Sequence, residues 1–323
     1  MIRLAVEVGS GARRPKRPVT GILLLDKPAG ISSNVALQRV RRAFAAAKGG
    51  HTGNLDVAAT GLLPLCFGEA TKVSAFLLDA DKVYVADVVL GVTTTTGDRE
   101  GDVVCVRSAD AVGQSDVEAV LARFHGDITQ VPPMYSALKR DGRPLYEYAR
   151  AGVELERAAR TVRIYSLRLL ACSPGSLRVE VHCSKGTYVR TLAEDIGAAL
   201  GCGAHLGALR RTRAGPFSLE DAYPLASFQD PLPHPGDLDR LLLPVDSALG
   251  TFPAVTLEAT AAERAVACGQ PVVVADPPAA GLCRVYARDG RFLGMGEIDA
   301  AGTLAPRRMM QVVSEVAEQH QTR

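Results

Sequence analysis

The 323-residue sequence contains no tryptophan and only 5% aromatic residues. Any role that stacks a planar ligand therefore falls on a few tyrosines, phenylalanines or histidines. No apolar run approaches the roughly 18 residues of a membrane-spanning helix, and the first twenty residues lack the apolar stretch of a secretory signal. These absences argue against a helical membrane protein and point to a cytoplasmic chain. There is no C-x-x-C pair. The seven cysteines (Cys66, Cys105, Cys172, Cys183, Cys202, Cys268 and Cys283) are odd in number and scattered, which speaks for reduced thiols and against a disulfide framework or zinc ribbon. Cys202 and His205 stand at C-x-x-H spacing without a second pair, so no metal site is expected. Neither G-x-G-x-x-G nor G-x-x-x-x-G-K-[ST] occurs, and no nucleotide or other cofactor is expected. Internal repeats are absent and nothing asks for a partner helix, so the expectation is a monomer.

What is present is a chain 47% hydrophobic, enough for a sizeable core in two domains or one large one. The net charge of +2 is unevenly placed: residues 1–50 hold ten Lys/Arg against two acids. A basic segment on a near-neutral protein suits a polyanionic partner; a solvated face with a disordered arm is the plainer reading. The apolar run from Ile22 to Leu25 predicts a buried strand ending at Lys27-Pro28, and Gly30 to Asn34 offers helix-capping residues before the helical stripe Val35, Leu37, Val40 and Phe44. A helix is predicted over Glu69–Leu78 and a strand over Lys82–Leu90. Val117, Val120, Leu121 and Phe124 mark another helix. An irregular loop with exposed basic residues follows from Gln130, then a short helix near Tyr146. Val162–Leu170 and Leu177–Cys183 predict a strand pair joined through Ser173-Pro174-Gly175, and Val189, Leu192, Ile196 and Leu200 a helix. Pro271–Val274, Leu282–Tyr286 and Arg291–Glu297, with an Asp289-Gly290 turn, suggest a small antiparallel β module.

The stretch Gly50-His51-Thr52-Gly53-Asn54-Leu55-Asp56, running on to Ala59-Thr60-Gly61-Leu62, is glycine-punctuated and carries one histidine and one carboxylate. On local grounds Asp56 is a turn or cap residue, or a group held out from a rigid loop. By the same local reading Tyr84 packs in a core, and Arg190 lies on a surface.

Residues 51–61 resemble the signature loop of the TruB family of tRNA pseudouridine-55 synthases, in which this aspartate is the catalytic nucleophile. Asn54 and Val57 depart from the pattern, the latter replacing a proline. Four more stretches resemble the family in the same order: Lys27-Pro28-x-Gly30-x-Ser32-Ser33; Lys82-x-Tyr84; Pro132-Pro133-Met134-Tyr135-Ser136-Ala137-Leu138-Lys139; and Gly186-Thr187-Tyr188-Val189-Arg190, with Leu209-Arg210-Arg211 beyond. The Leu90–Asp98 segment is similar too, with Thr95 where an acidic residue is customary, so that position brings no acid to the site.

The resemblance implies an α+β fold: a pseudouridine-synthase-like mixed, mainly antiparallel sheet with helices, plus a small C-terminal PUA-like β domain. The implied division is a basic arm at 1–18, a catalytic domain at 19–248, a PUA-like RNA-binding domain at 249–315 and a tail at 316–323. The implied function is isomerisation of uridine 55 in the T loop of tRNA, with Asp56 as nucleophile and the base flipped out. Tyr84 would stack on the uracil, Tyr188 would take the proton from C5, and Arg190 would orient and keep Asp56 charged, since a nearby guanidinium favours a carboxylate's ionised form. His51 would fill the space the base leaves, Leu209 would line the uracil pocket, and Lys139, Arg210 and Arg211 would meet the RNA backbone. A non-catalytic RNA-binding or RNA-folding protein is the competing reading. It would not need Asp56, Tyr84, Tyr188 and Arg190 together. A metal-dependent nuclease would want clustered acids that the sequence does not show.

Overall fold

A computed structural model describes residues 15–229 and 234–311; nearly all of the expected basic arm and the whole C-terminal tail lie outside the described residues. Strand Gly21–Lys27 buries Ile22 to Leu25 on both faces and pairs antiparallel with the equally apolar Thr60–Phe67. Continuous apolar strands of this kind belong where a sheet is covered above and below. Ser176–Cys183 instead alternates buried and more exposed residues, as a strand with one wet face should. It lies between Lys82–Leu90 and Arg160–Ser173, antiparallel to both.

These strands belong to one ten-stranded sheet. Its path runs Tyr223–Pro224, Gly21–Lys27, Thr60–Phe67, Ala204–Ala214, Lys82–Leu90, Ser176–Cys183, Arg160–Ser173, Gly126–Gln130. Gly49–His51 and Phe217–Ser218 attach to Thr60–Phe67 and Ala204–Ala214 respectively. Pairing is antiparallel except where Tyr223–Pro224 meets Gly21–Lys27 and where Ala204–Ala214 meets Thr60–Phe67. The second exception is the seam between two half-sheets, and its register is Arg210 with Thr60 and Arg211 with Gly61.

Each half has its own core. Helices Gln114–Ala122 and Val189–Ala199 bury Val117, Leu121, Leu192 and Ile196 against one. Helix Ser33–Ala43, capped by the Ser32 hydroxyl accepting from Val35 N at 3.2 Å, buries Leu37 and Val40 against the other. Tyr84 and Leu209 pack against both cores and so mark the seam. The architecture is the mixed, mainly antiparallel α+β sheet the sequence implied. Two local expectations change. The predicted Glu69–Leu78 helix is a 3₁₀ turn, Gly68–Lys72, followed by a short helix, Ser74–Asp79. The C-terminal module is mixed: Ala254–Leu257 runs parallel to Gly281–Ala287, ahead of the antiparallel strands Phe292–Ile298, Thr303–Met309 and Val272–Val273.

That five-stranded sheet folds around helix Ala259–Cys268, with Val255, Leu257, Val285 and Leu304 in its core. It is joined to the larger sheet by Met295 and Met310, which share a cluster with Ile22, Leu62 and Phe217. The Tyr286 hydroxyl adds a bond, donating to Asp246 Oδ2 at 2.8 Å. Among the described residues no helix is long and apolar enough to cross a membrane.

Candidate active site

Asp56 lies in the loop between Gly49–His51 and Thr60–Phe67, and both of its chain neighbours are tied down. The buried Ser33 hydroxyl accepts from Leu55 N at 2.8 Å and donates to Leu55 O at 3.1 Å. Gly30 N donates to Val57 O at 2.8 Å, and the Leu55 side chain is in the core. Beneath them Lys27 is fully buried, its Nζ donating to Pro28 O at 2.8 Å and Ile31 O at 2.9 Å. Burial brings this ammonium down to about 8, against the pull of the Asp56 charge. The Lys27–Ser33 element thus holds the residues on either side of Asp56. Those bonds restrain the loop where Val57 replaces the customary proline.

Arg190 meets Asp56 from the other half-sheet. Its side chain is 6% exposed, with Nη2 3.3 Å from Asp56 Oδ2 and Nη1 3.3 Å from Asp98 Oδ2. It also donates to Tyr135 O at 2.6 Å and Thr96 O at 3.3 Å. Asp98 is nearly buried, and its Oδ1 accepts from Thr96 Oγ1 at 2.6 Å and Glu100 N at 3.0 Å. Asp56 is 47% exposed. One guanidinium therefore joins an inner carboxylate that is fully engaged to an outer one that is open. Sequence reading missed Asp98. Thr95 does bring no acid, but the carboxylate three residues on fills that role, and its signal was its place just after Gly97 in a motif already recognised. One turn past Arg190, Glu194 is raised by burial and by Asp195, with Arg190 opposing.

The seam strands carry the next group of residues. Across Lys82–Leu90 and Ala204–Ala214, Tyr84 stands opposite Arg211 and Ala86 opposite Leu209, so the two-residue period puts all four on one face. Tyr84 is half-buried; burial raises its phenol while the Arg211 charge pulls the other way. His51 is an edge-strand residue opposite Leu65. Its Nδ1 is buried without a partner among the described residues, and burial with the Arg211 charge lowers it, so the ring favours the neutral form at neutral pH. Tyr188 precedes helix Val189–Ala199. Its N–H donates to Gln130 Oε1 at 3.0 Å, its carbonyl accepts from Gln130 Nε2 at 3.2 Å, and Arg160 sits 4.8 Å over its ring.

Lys139 lies with Arg140 and Arg143 on an exposed hairpin whose turn, Asp141-Gly142, has positive φ at both residues. Arg210 is half-exposed and held by Asp26 through contacts of 3.2 and 2.7 Å. Arg211 corrects the sequence reading. It is 1% exposed, with its donors turned to the main chain, and so does not present its charge to an RNA backbone. Its Nε donates to Leu62 O at 2.7 Å and its Nη2 to Gly53 O at 3.2 Å.

Comparison with known proteins gives three consecutive family matches. The N-terminal domain of TruB family pseudouridylate synthase matches residues 41–189, the tRNA pseudouridylate synthase B C-terminal domain residues 190–250, and the pseudouridine synthase II TruB C-terminal model residues 253–310. The chain is 52% identical over 301 residues to tRNA pseudouridine synthase B of Pseudomonas putida, covering 93% of this chain and 98% of that one. It is 54% identical over 303 residues to the protein of that name from Aromatoleum aromaticum, covering 94% and 96%. Among solved structures, a chain of a Cbf5-Nop10-Gar1 complex superposes with a TM-score of 0.67 at 27% identity, covering 88% of this chain and 80% of that one. A chain of an H/ACA RNP bound to a substrate RNA containing 2'-deoxyuridine shares the fold, with a TM-score of 0.67 at 24% identity, covering 90% and 85%.

Proposed function

The chain belongs to the TruB family of pseudouridylate synthases, and from that premise we propose that Asp56 is the nucleophile with which it isomerises uridine 55 in the T loop of tRNA. The observation that carries the assignment is the Asp56–Arg190 pair: an exposed carboxylate with one oxygen held by a buried guanidinium. The reaction breaks the N1–C1′ bond and forms a C5–C1′ bond at the same ribose. C5 loses a proton and N1 gains one, so no electrons enter or leave. One ionised carboxylate serves whether the attack falls on C1′ or on C6.

Tyr84 stacks on the extruded uracil and Leu209 closes the pocket beside it. Flipping the base costs a few kcal/mol, and a stack returns about 1–3 kcal/mol, so the wall offsets the extrusion. Tyr188 receives the C5 proton, and neutral His51 occupies the gap left in the RNA. Lys139, with Arg140 and Arg143, meets backbone phosphates from the exposed hairpin; Arg210 can do so only by sharing its bond to Asp26. Residues 19–248 carry the chemistry, residues 249–315 form a PUA-like module that holds RNA, and the enzyme works as a cytoplasmic monomer. Release of tritium from T-stem-loop RNA labelled at C5 of uridine tests the reading. Release is expected, and it should disappear when uridine 55 alone is replaced by cytidine. An RNA that binds tightly and releases nothing would leave a binding protein without this activity.

A further inference from the structure

The proposed chemistry leaves Arg211 without a part. Its guanidinium is bonded to two main-chain carbonyls and, among the described residues, to no carboxylate. Burying an unneutralised charge is costly, so its retention calls for a reason. The two carbonyls belong to Gly53 and Leu62, which bracket the loop carrying Asp56. The backbone of Arg211 closes on the same loop: a Cβ at Gly61, where φ is +101°, would stand 2.3 Å from Arg211 O. Across the sheet, Arg211 faces Tyr84.

We propose that Arg211 is a positioning residue, a buried clasp that ties both ends of the Gly53–Leu62 loop to the strand pair bearing Tyr84, and so fixes Asp56 relative to the stacking ring. It acts through Asp56 and touches no substrate, and it rests on the reading of Asp56 as nucleophile. A misplacement of about 1 Å can cost 100-fold in rate, which is the scale on which such a clasp works.

The test compares wild type, Arg211→Lys and Arg211→Gln. Lysine keeps the charge but replaces the two separate donor nitrogens of the planar fork with one ammonium; glutamine removes the buried charge and keeps one donor group. For each protein, thermal unfolding, T-stem-loop RNA affinity, single-turnover rate and amide exchange are measured, with Asp56→Asn as the inactive reference. Both variants are expected to lose rate about 100-fold while binding RNA within about threefold of wild type. Exchange should rise within residues 53–62 and stay slow in Lys82–Leu90 and Ser176–Cys183. A wild-type rate in either folded variant overturns the proposal. So does a loss of rate matched by weaker binding and faster exchange throughout, or failure of both variants to fold, since each makes the residue a support of the whole fold. An inactive wild type would instead sink the reading of Asp56 itself, so the two failures are distinguishable.

Discussion

Two buried guanidiniums, both carried by the half of the molecule that includes strand Ala204–Ala214, serve the candidate site, and their surroundings differ. Arg190 lies between two carboxylates, Asp56 and Asp98. Arg211 is bonded to the carbonyls of Gly53 and Leu62. In the first setting the charge is the useful property, because it bridges two carboxylates and orients the outer one. In the second the planar fork is the useful property, because it spans two points of one loop. Lys27 repeats the second setting with a cation that is able to lose its proton, and burial lowers it to about 8 even with the Asp56 charge pulling the other way.

The strongest way to break this comparison is at Arg190. Arg190→Ala leaves Asp98 buried and unpaired, which costs about 3–5 kcal/mol of stability by analogy with other buried pairs. Single-turnover rate should fall by about 10³-fold or more, since the proposed nucleophile loses its orienting partner; calorimetry and rapid-quench assay check the two effects. A rate within tenfold of wild type would detach Arg190 from the chemistry. Next comes Asp98→Asn, which removes the inner charge and leaves most of the shape. The expected cost is about 1–3 kcal/mol, with a smaller rate loss than at Arg190, read by the same assays. Equal losses at the two positions would make the inner carboxylate as important as the guanidinium.

At Lys27 the effect is expected on stability alone. Its folded-state value is depressed from 10.5 to about 8, so between those limits the unfolded chain binds more protons than the folded one, and stability rises with pH. Below about 8 both states hold the proton and the burial penalty is constant. Wild type should therefore gain on Lys27→Met by about 1–3 kcal/mol as pH rises through this window, measured by urea unfolding at fixed ionic strength. A flat difference would show that Lys27 is not depressed.

Much of this candidate site was legible because the proposed reacting groups sit in distinctive motifs. Asp56, Tyr84 and Arg190 came from resemblance, whereas local pattern read them as a cap, a core ring and a surface cation. Nothing in spacing alone shows that Arg190 and Asp56 meet, since they come from different half-sheets. Asp98 does not stand out in the sequence, because the customary acid of that motif falls at the position of Thr95. Arg211 is expected to meet the RNA backbone because no strand over Ala204–Ala214 is predicted. Its alternation is broken by register shifts at Leu206/Ala208 and Arg211/Arg213, and bulges of this kind defeat a period-two reading. The strands Gly21–Lys27 and Lys82–Leu90 were readable, being respectively a continuous apolar run and a β-rich segment.

The central claim is that Asp56 performs the chemistry. It is tested most directly by single-turnover pseudouridine formation on T-stem-loop RNA with wild type and Asp56→Asn, alongside RNA binding. Asparagine keeps the shape and removes the nucleophilic charge. The expected result is unchanged binding with a rate lower by at least about 10⁴-fold. Product formed by Asp56→Asn at a rate near that of wild type would contradict the account.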